Sequence, residues 1–197
     1  MTDLARTDDL FFSRTGMDRD RVDRLVGDAL DGADDGELFL EYRQSEGLAF
    51  DDGRLKAASF DTTQGFGLRA VADETTGYAH ASELSEAAIA RAAETVKSVR
   101  RGHGGEMAAA AAGTNQELYA DTNPLGEVDF ADKVNLLQEI DAYARARDPR
   151  ISQVSASLSG EWQAVQIIRA NGERAADIRP LVRINVSMVV TDGDRME

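Results

Sequence analysis

From Ile151 onward the sequence is a succession of strand-like runs separated by tight-turn residues, a pattern that confines this half of the chain to antiparallel sheet. In Leu181 to Val190 the apolar residues Val182, Ile184, Val186, Met188 and Val190 alternate with Arg183, Asn185 and Ser187. That period of two gives an extended strand two distinct faces. Asn171-Gly172 reads as a type I′ turn, whose two central residues both need positive φ, a conformation that Asn and Gly accept. Connections of two to four residues join antiparallel neighbours, because parallel strands need a crossover of a dozen residues or more. Four strands are expected: Ile151 to Ser159, Glu161 to Ala170, Glu173 to Ile178 and Leu181 to Val190. A further pair, Asp192-Gly193, calls for a returning strand, and Asp194, Arg195, Met196 and Glu197 follow it. The C-terminal sheet is therefore expected to be incomplete within these residues, with the chemistry it serves lying beyond them.

The first half repeats the theme with helices added. Residues 1–15 are expected to form a mobile leader, although Leu10, Phe11 and Phe12 offer an apolar triplet that can dock. Val22, Leu25, Val26, Ala29 and Leu30 recur at helical spacing, with Asp18 and Asp20 near the positive N-terminal end and Gly32 as the stop. A meander follows: Leu38, Leu40 and Tyr42 on one strand, a turn at Asp51-Asp52-Gly53, then Phe66, Leu68, Ala70 and Ala72. Glu74 to Gly77 turns the chain into Tyr78 to Ser82. A second helix starts at an N-cap Ser85 and buries Ile89, Ala92, Ala93 and Val96. A third runs from Asp129 to Pro149, with Phe130, Val134, Leu137 and Ile140 as its core face. Between them the glycines near Gly102 and the alanines Ala108 to Ala112 predict a flexible segment over about 101–128. The expected fold class is α+β: antiparallel β-meanders packed with about three helices over residues 16–197, in an order that suggests two related α/β units.

Charge narrows the function. The 197 residues carry 36 Asp plus Glu against 22 Lys plus Arg, a formal charge of −14. Nucleic-acid binding needs clustered cations for phosphate contacts, so it is not expected. Lys56, Lys97 and Lys133 are the chain's lysines. Abundant aspartate with so little lysine is similar to the composition of proteins from salt-loving archaea. An acidic protein from an Arg-rich, high-GC genome is the alternative. With no cysteine, disulfides and thiolate metal sites are excluded from this chain. No signal-peptide core and no apolar run of about 20 residues is present, which points to a cytoplasmic protein without a membrane span.

Motifs that carry chemistry are sparse. Zinc-peptidase helices need two histidines one turn apart with a glutamate beside the first. His80, on a strand beside Tyr78, and His103, among glycines, are the two histidines here, and each reads better as a structural or solvent-facing residue. Gly65-Phe66-Gly67 is a fragment of a dinucleotide loop but opens a strand, not a helix. Asp34-Asp35 and Asp51-Asp52 have the chemistry for a hard cation, with turn formation and acidic surface as the simpler explanation. Asn185-Val186-Ser187 has the pattern of a glycosylation acceptor but lies in a strand. No catalytic or metal residue is assigned, and no substrate-binding residue is known from these patterns. What survives is the sheet itself, because an exposed antiparallel edge can bind an extended peptide as an added strand.

A longer set of strings is more specific. Leu118-Tyr119, Asn123-Pro124-Leu125, Lys133-Val134, Ile140 to Ala146 and Asp148-Pro149-Arg150-Ile151 occur in order. Gln153-Val154, Ala156-Ser157-Leu158, Ala170-Asn171-Gly172 and Asp177 to Val186 follow them. Glu41-Tyr42-Arg43, Gly65 to Arg69 and Gly77-Tyr78-Ala79 fit more loosely. Together they resemble the N-terminal region of the metal-bearing members of the TldD/PmbA peptidase family, also known as modulators of DNA gyrase. The resemblance implies a cytoplasmic zinc-dependent endopeptidase that degrades unfolded peptides as a dimer with a metal-free TldE/PmbA-like subunit. In that family a His-Glu-x-x-x-His helix and a later cysteine hold the zinc, and this chain has neither. The resemblance thus implies the N-terminal α+β part, without the zinc-bearing C-terminal domain, inactive on its own and without bound zinc. The alternative is a non-catalytic peptide-binding or subunit-pairing module, as a short protein or a PmbA-like subunit.

Overall fold

The computed structural model describes residues 3–98, 118–193 and 195–196. Its strands are β1 (Asp35–Asp51), β2 (Arg54–Ala72), β3 (Thr75–Ala81), β4 (Ile151–Arg169), β5 (Arg174–Asp192) and the two-residue β6 (Arg195–Met196). They form one sheet in the order β3-β2-β1-β4-β5-β6. The helices are α1 (Asp3–Asp8), which continues into a π-helical turn at Asp9–Ser13, then α2 (Arg19–Leu30), α3 (Glu86–Lys97), the single turn α4 (Pro124–Glu127) and α5 (Phe130–Arg147). The fold is α+β, as the periodicities require.

Local chemistry explains each hairpin. Asp52 (φ 50°) and Gly53 (φ 75°) both take positive φ between β1 and β2, the type I′ arrangement whose twist matches the strands. The next turn lies at Asp73 (φ 51°) and Glu74, slightly earlier than predicted, and β3 returns antiparallel with Phe66 opposite Ala81 and Ala72 opposite Thr75. Asn171-Gly172 is not type I′, because Gly172 (φ 77°) takes positive φ and Asn171 does not. The Gly172 N–H instead donates to the Arg169 carbonyl at 3.0 Å and the Arg169 N–H to the Glu173 carbonyl at 3.0 Å. This is a three-residue loop ending on a left-handed glycine.

The four strands expected after Ile151 are two. Gly160 does not break β4: a Cβ there would lie 2.5 Å from Leu125 Cδ2, so the glycine makes room for a packed leucine. Pro180 does not break β5, an outer strand whose pairing with β6 among the described residues is at Thr191 and Asp192, and proline is tolerated on such a margin.

Contacts divide the chain into two units, the first comprising 1–43, 63–120 and 163–178, the second 44–62, 121–162 and 179–197. Strands β1, β2, β4 and β5 each contribute to both units. In unit 1, Leu38, Leu40, Leu68 and Ile168 are fully buried. Leu30 of α2 sits over Gly36, where a Cβ would come within 2.6 Å of it. Helix α2 is capped by Asp18, which accepts from the Arg21 N–H at 2.8 Å, and α3 by Ser85, which accepts from Ala88 at 3.1 Å. As predicted, α3 buries Ile89, Ala92, Ala93 and Val96.

The residues expected as a mobile leader are helical, with Leu10, Phe11 and Phe12 buried. Asp8 accepts from Gln166 at 2.9 Å, and Arg174 pairs with Asp23 at 2.5 Å while lying over the Phe12 ring. Each buried phenylalanine contributes roughly 1.5–3 kcal/mol, which offsets the ordering of a short segment. Of the expected flexible segment 101–128, residues 101–117, with His103, lie outside the described residues, and its end forms α4 with Leu125 buried.

Unit 2 has its own core of Leu48, Phe50, Leu137, Ala156 and Leu158, with Ile140 against it. Helix α5 buries Leu137 of the face predicted for it and half-buries Val134 and Ile140. Its buried positions are Lys133, Leu137, Asp141 and Ala144, while Phe130 is 51% exposed. Two charged residues are buried beside that face: Lys133 pairs with Glu46 at 2.5 Å, and Asp141 with Arg145 of the same helix at 3.1 Å.

Candidate functional site

The residues singled out by sequence separate between the two units. In unit 1, Gly65, Phe66, Gly67, Tyr78 and His80 come together around a cavity of about 300 Å³ beside β3, which Glu41 and Ser82 also line. The two glycines serve packing, not a nucleotide. A Cβ on Gly67 would lie 2.7 Å from the Tyr78 hydroxyl, and one on Gly65 would lie 2.7 Å from the Ala81 carbonyl oxygen. Tyr78 and His80, two apart and so on one face of the strand, stack with ring centroids 5.5 Å apart. Both are exposed.

The paired aspartates have protein partners. Asp35 receives Arg69 Nη2 at 2.6 Å and Arg169 Nη2 at 2.9 Å, and Arg69 also grips Glu37 through Nε and Nη2, each at 2.8 Å. Burial works against the charge on Asp35, and the Arg69 hydrogen bond and charge more than offset it, so the carboxyl lies below its ordinary range. This ladder crosses β1, β2 and β4 and ties them at one height. Asp34 accepts from the Asp73 N–H at 2.7 Å and closes the second turn. In unit 2, Asp51 accepts from Ser155 at 2.6 Å and Gln153 at 3.1 Å, bonds that hold its carboxyl below the ordinary value, and Asp52 pairs with Arg145. Among the described residues no three His, Cys, Asp or Glu side chains converge on a point that suits a metal ion. Asn185 lies inside β5, accepting from Arg183 Nε at 2.9 Å.

What the geometry does offer is open sheet edge. Strand β3 pairs with β2 only from Phe66 to Ala72, so Arg54 to Thr62 of β2 has no described strand on its outer side. On the other margin β6 pairs, among the described residues, with Thr191 and Asp192 of β5. The apolar residues of β5 next to that open edge stay exposed: Leu181, Val182, Ile184, Val186 and Met188. Beside Val182 and Ile184 lies a cavity of about 260 Å³, walled also by Pro124, Leu125, Val128, Leu136, Leu158 and Gly160. Glu46 and Lys133 reach it, with Glu127 and Asp132 at its lining. The Lys133 ammonium, almost fully buried, donates to Glu46 Oε2 at 2.5 Å and to the Leu125 carbonyl at 2.8 Å. Sequence reading missed this group. Its one signal was a rare lysine in phase with the buried Leu137.

No helix among the described residues is long and apolar enough to cross a membrane. Two domain descriptions of one family match the chain: "PmbA/TldA metallopeptidase domain 1" over residues 36–112 and "PmbA/TldA metallopeptidase central domain" over residues 123–197. A "Metalloprotease TldD homolog" of Haemophilus influenzae is 37% identical over 164 residues, 82% of this chain and 34% of that protein. One from Buchnera aphidicola of Schizaphis graminum is 35% identical over 167 residues, 83% of this chain and 34% of that protein. The chain thus spans about a third of the length of the curated relatives it matches. Two solved structures share the fold. One is a Bacteroides thetaiotaomicron protein described as a modulator of DNA gyrase, with a TM-score of 0.69 and 14% identity over 90% of this chain and 42% of that one. The other is TldE of Thermococcus kodakarensis, with a TM-score of 0.63 and 15% identity over 90% of this chain and 40% of that one. With both family domains matched in order on an antiparallel α+β sheet, this chain belongs to the PmbA/TldD metallopeptidase family.

Proposed function

We propose that these residues form the peptide-handling scaffold of a TldD-type zinc-dependent endopeptidase that acts on unfolded peptides in the cytoplasm, paired with a TldE/PmbA-like subunit. The observation that carries the reading is the in-order match of both family domains along an antiparallel sheet. Strand addition suits an unfolded substrate, because main-chain hydrogen bonds bind any sequence and the substrate has no fold of its own to lose. The side chains present hold the strands in place and present an edge. No chemical step is assigned to the described residues, among which no group of three His, Cys, Asp or Glu could hold a metal ion.

Two measurements on the 197-residue chain test this reading. Equilibrium dialysis is expected to find no stoichiometric zinc, and a quenched fluorescent peptide without secondary structure is expected to remain uncut. One zinc per chain, or turnover that follows added zinc, overturns the scaffold assignment. Co-expression with a TldE/PmbA-like subunit is expected to give a co-eluting pair; separate elution removes the pairing role.

A further inference from the structure

We propose that the cavity between α4, α5 and β5 in unit 2 is a side-chain pocket for a peptide that carries an apolar residue next to a lysine or arginine. The inference deepens the peptide reading above and rests on it. At about 260 Å³ the cavity falls just below the roughly 300–1,000 Å³ of sites for whole small ligands, and suits one large side chain with part of a neighbour. Leu125, Leu136, Leu158, Val182 and Ile184 give water few partners there, which favours an apolar occupant. Charge then selects what accompanies it. The cavity has one cation, Lys133, already held by Glu46 and by the Leu125 carbonyl. Glu127 and Asp132, both exposed, have no ion-pair partner among the described residues, so two carboxylates stand uncompensated at an apolar mouth. A cation one residue from the buried side chain answers both, and an acidic neighbour is repelled. Val186 and Met188 continue the exposed apolar row along β5 and give the rest of such a peptide a surface to follow.

The test is an NMR titration of the isotope-labelled 197-residue chain with three capped dipeptide amides: acetyl-Leu-Lys, acetyl-Leu-Glu and acetyl-Gly-Lys. The expected result is saturable shifts at the backbone amides of Leu125, Leu136, Val182 and Ile184 with the Leu-Lys probe. Its dissociation constant should be on the order of millimolar, and the other two probes should bind at least about fivefold more weakly. In the double variant Glu127→Gln, Asp132→Asn the preference for Lys over Glu should vanish while the fold, checked by circular dichroism, is kept. Leu136→Arg, at a position 40% exposed, should abolish binding. Equal affinity for Leu-Lys and Leu-Glu, shifts confined to other regions, or no shift at tens of millimolar probe each overturns the pocket. Dipeptides are too short to add as a strand, so the sheet-edge reading is tested apart from this one. A ten-residue Gly-Ser-Thr peptide that slows amide exchange along Leu181 to Val190 supports it, and one that leaves exchange unchanged removes it.

Discussion

Among single residues, Lys133 shows how much a buried charge depends on its partner. Its side chain is 7% exposed and that of Glu46 is 10% exposed, with 2.5 Å between them. Removing one member of such a pair leaves the other charged and dry, which typically costs about 3–5 kcal/mol, whereas replacing both by apolar groups of similar volume is often neutral or stabilising. Lys133→Ala is therefore expected to destabilise unit 2 by that amount in denaturant unfolding, with Lys133→Met, Glu46→Leu close to the original; equal losses in both would remove the pair from the account. Asp148 makes a different point at the surface. The Arg150 side chain hydrogen-bonds its carboxylate at 2.7 Å and 3.0 Å, and the Arg150 N–H adds a bond at 2.9 Å. These contacts lower the carboxyl to about 2 from an ordinary 3.8. Because the folded value is depressed, the stabilisation is complete above about 3.8 and is lost as pH falls through about 2. A carboxyl carbon NMR titration should place the Asp148 midpoint well below those of free aspartates, and Arg150→Gln should return it toward the ordinary value.

At the level of elements, the distinctive feature is how long strands survive residues that usually interrupt them. Gly160 in β4 and Pro180 in β5 read as breaks, because one lacks a side chain and the other a donor. Neither property harms a strand whose glycine faces a packed leucine and whose proline lies where one side has no described partner. The same open margin is a liability, since an exposed apolar strand invites pairing with another chain. Val186→Lys, at a position 43% exposed, should reduce self-association measured by light scattering while changing stability by less than about 0.5 kcal/mol. Self-association unchanged by this lysine would place the sticky surface elsewhere. Helix α5 carries a parallel lesson. Its sequence offers Phe130, Val134, Leu137 and Ile140 as a stripe; Leu137 and Ile140 do meet the core, Phe130 is exposed, and Lys133 and Asp141 are buried beside them. A charge with a partner waiting, as Lys133 has in Glu46, widens the buried face beyond the apolar stripe.

For the molecule as a whole, the formal charge of −14 sets the response to solvent. Repulsion among carboxylates is long-ranged at low ionic strength and collapses within about 3 Å at 1 M salt. If the acidic surface is an adaptation to brine, circular dichroism should show structure lost as salt is removed and regained at multimolar salt; a spectrum and melting point unchanged across that range assign the composition to genome bias. Hairpins, helix caps and the apolar faces of α2 and α3 were legible in the sequence because turn conformation, capping and period depend on residues within a few positions of one another. So was the family, through strings such as Asp177 to Val186. The candidate site was not. The docking of Phe11, the burial of Lys133 in α5 and the pocket around it each depend on groups far apart in the chain, Lys133 and Glu46 by 87 positions. Whether a charge or a glycine belongs inside is decided by what meets it there, and that meeting exists only after the strands have paired.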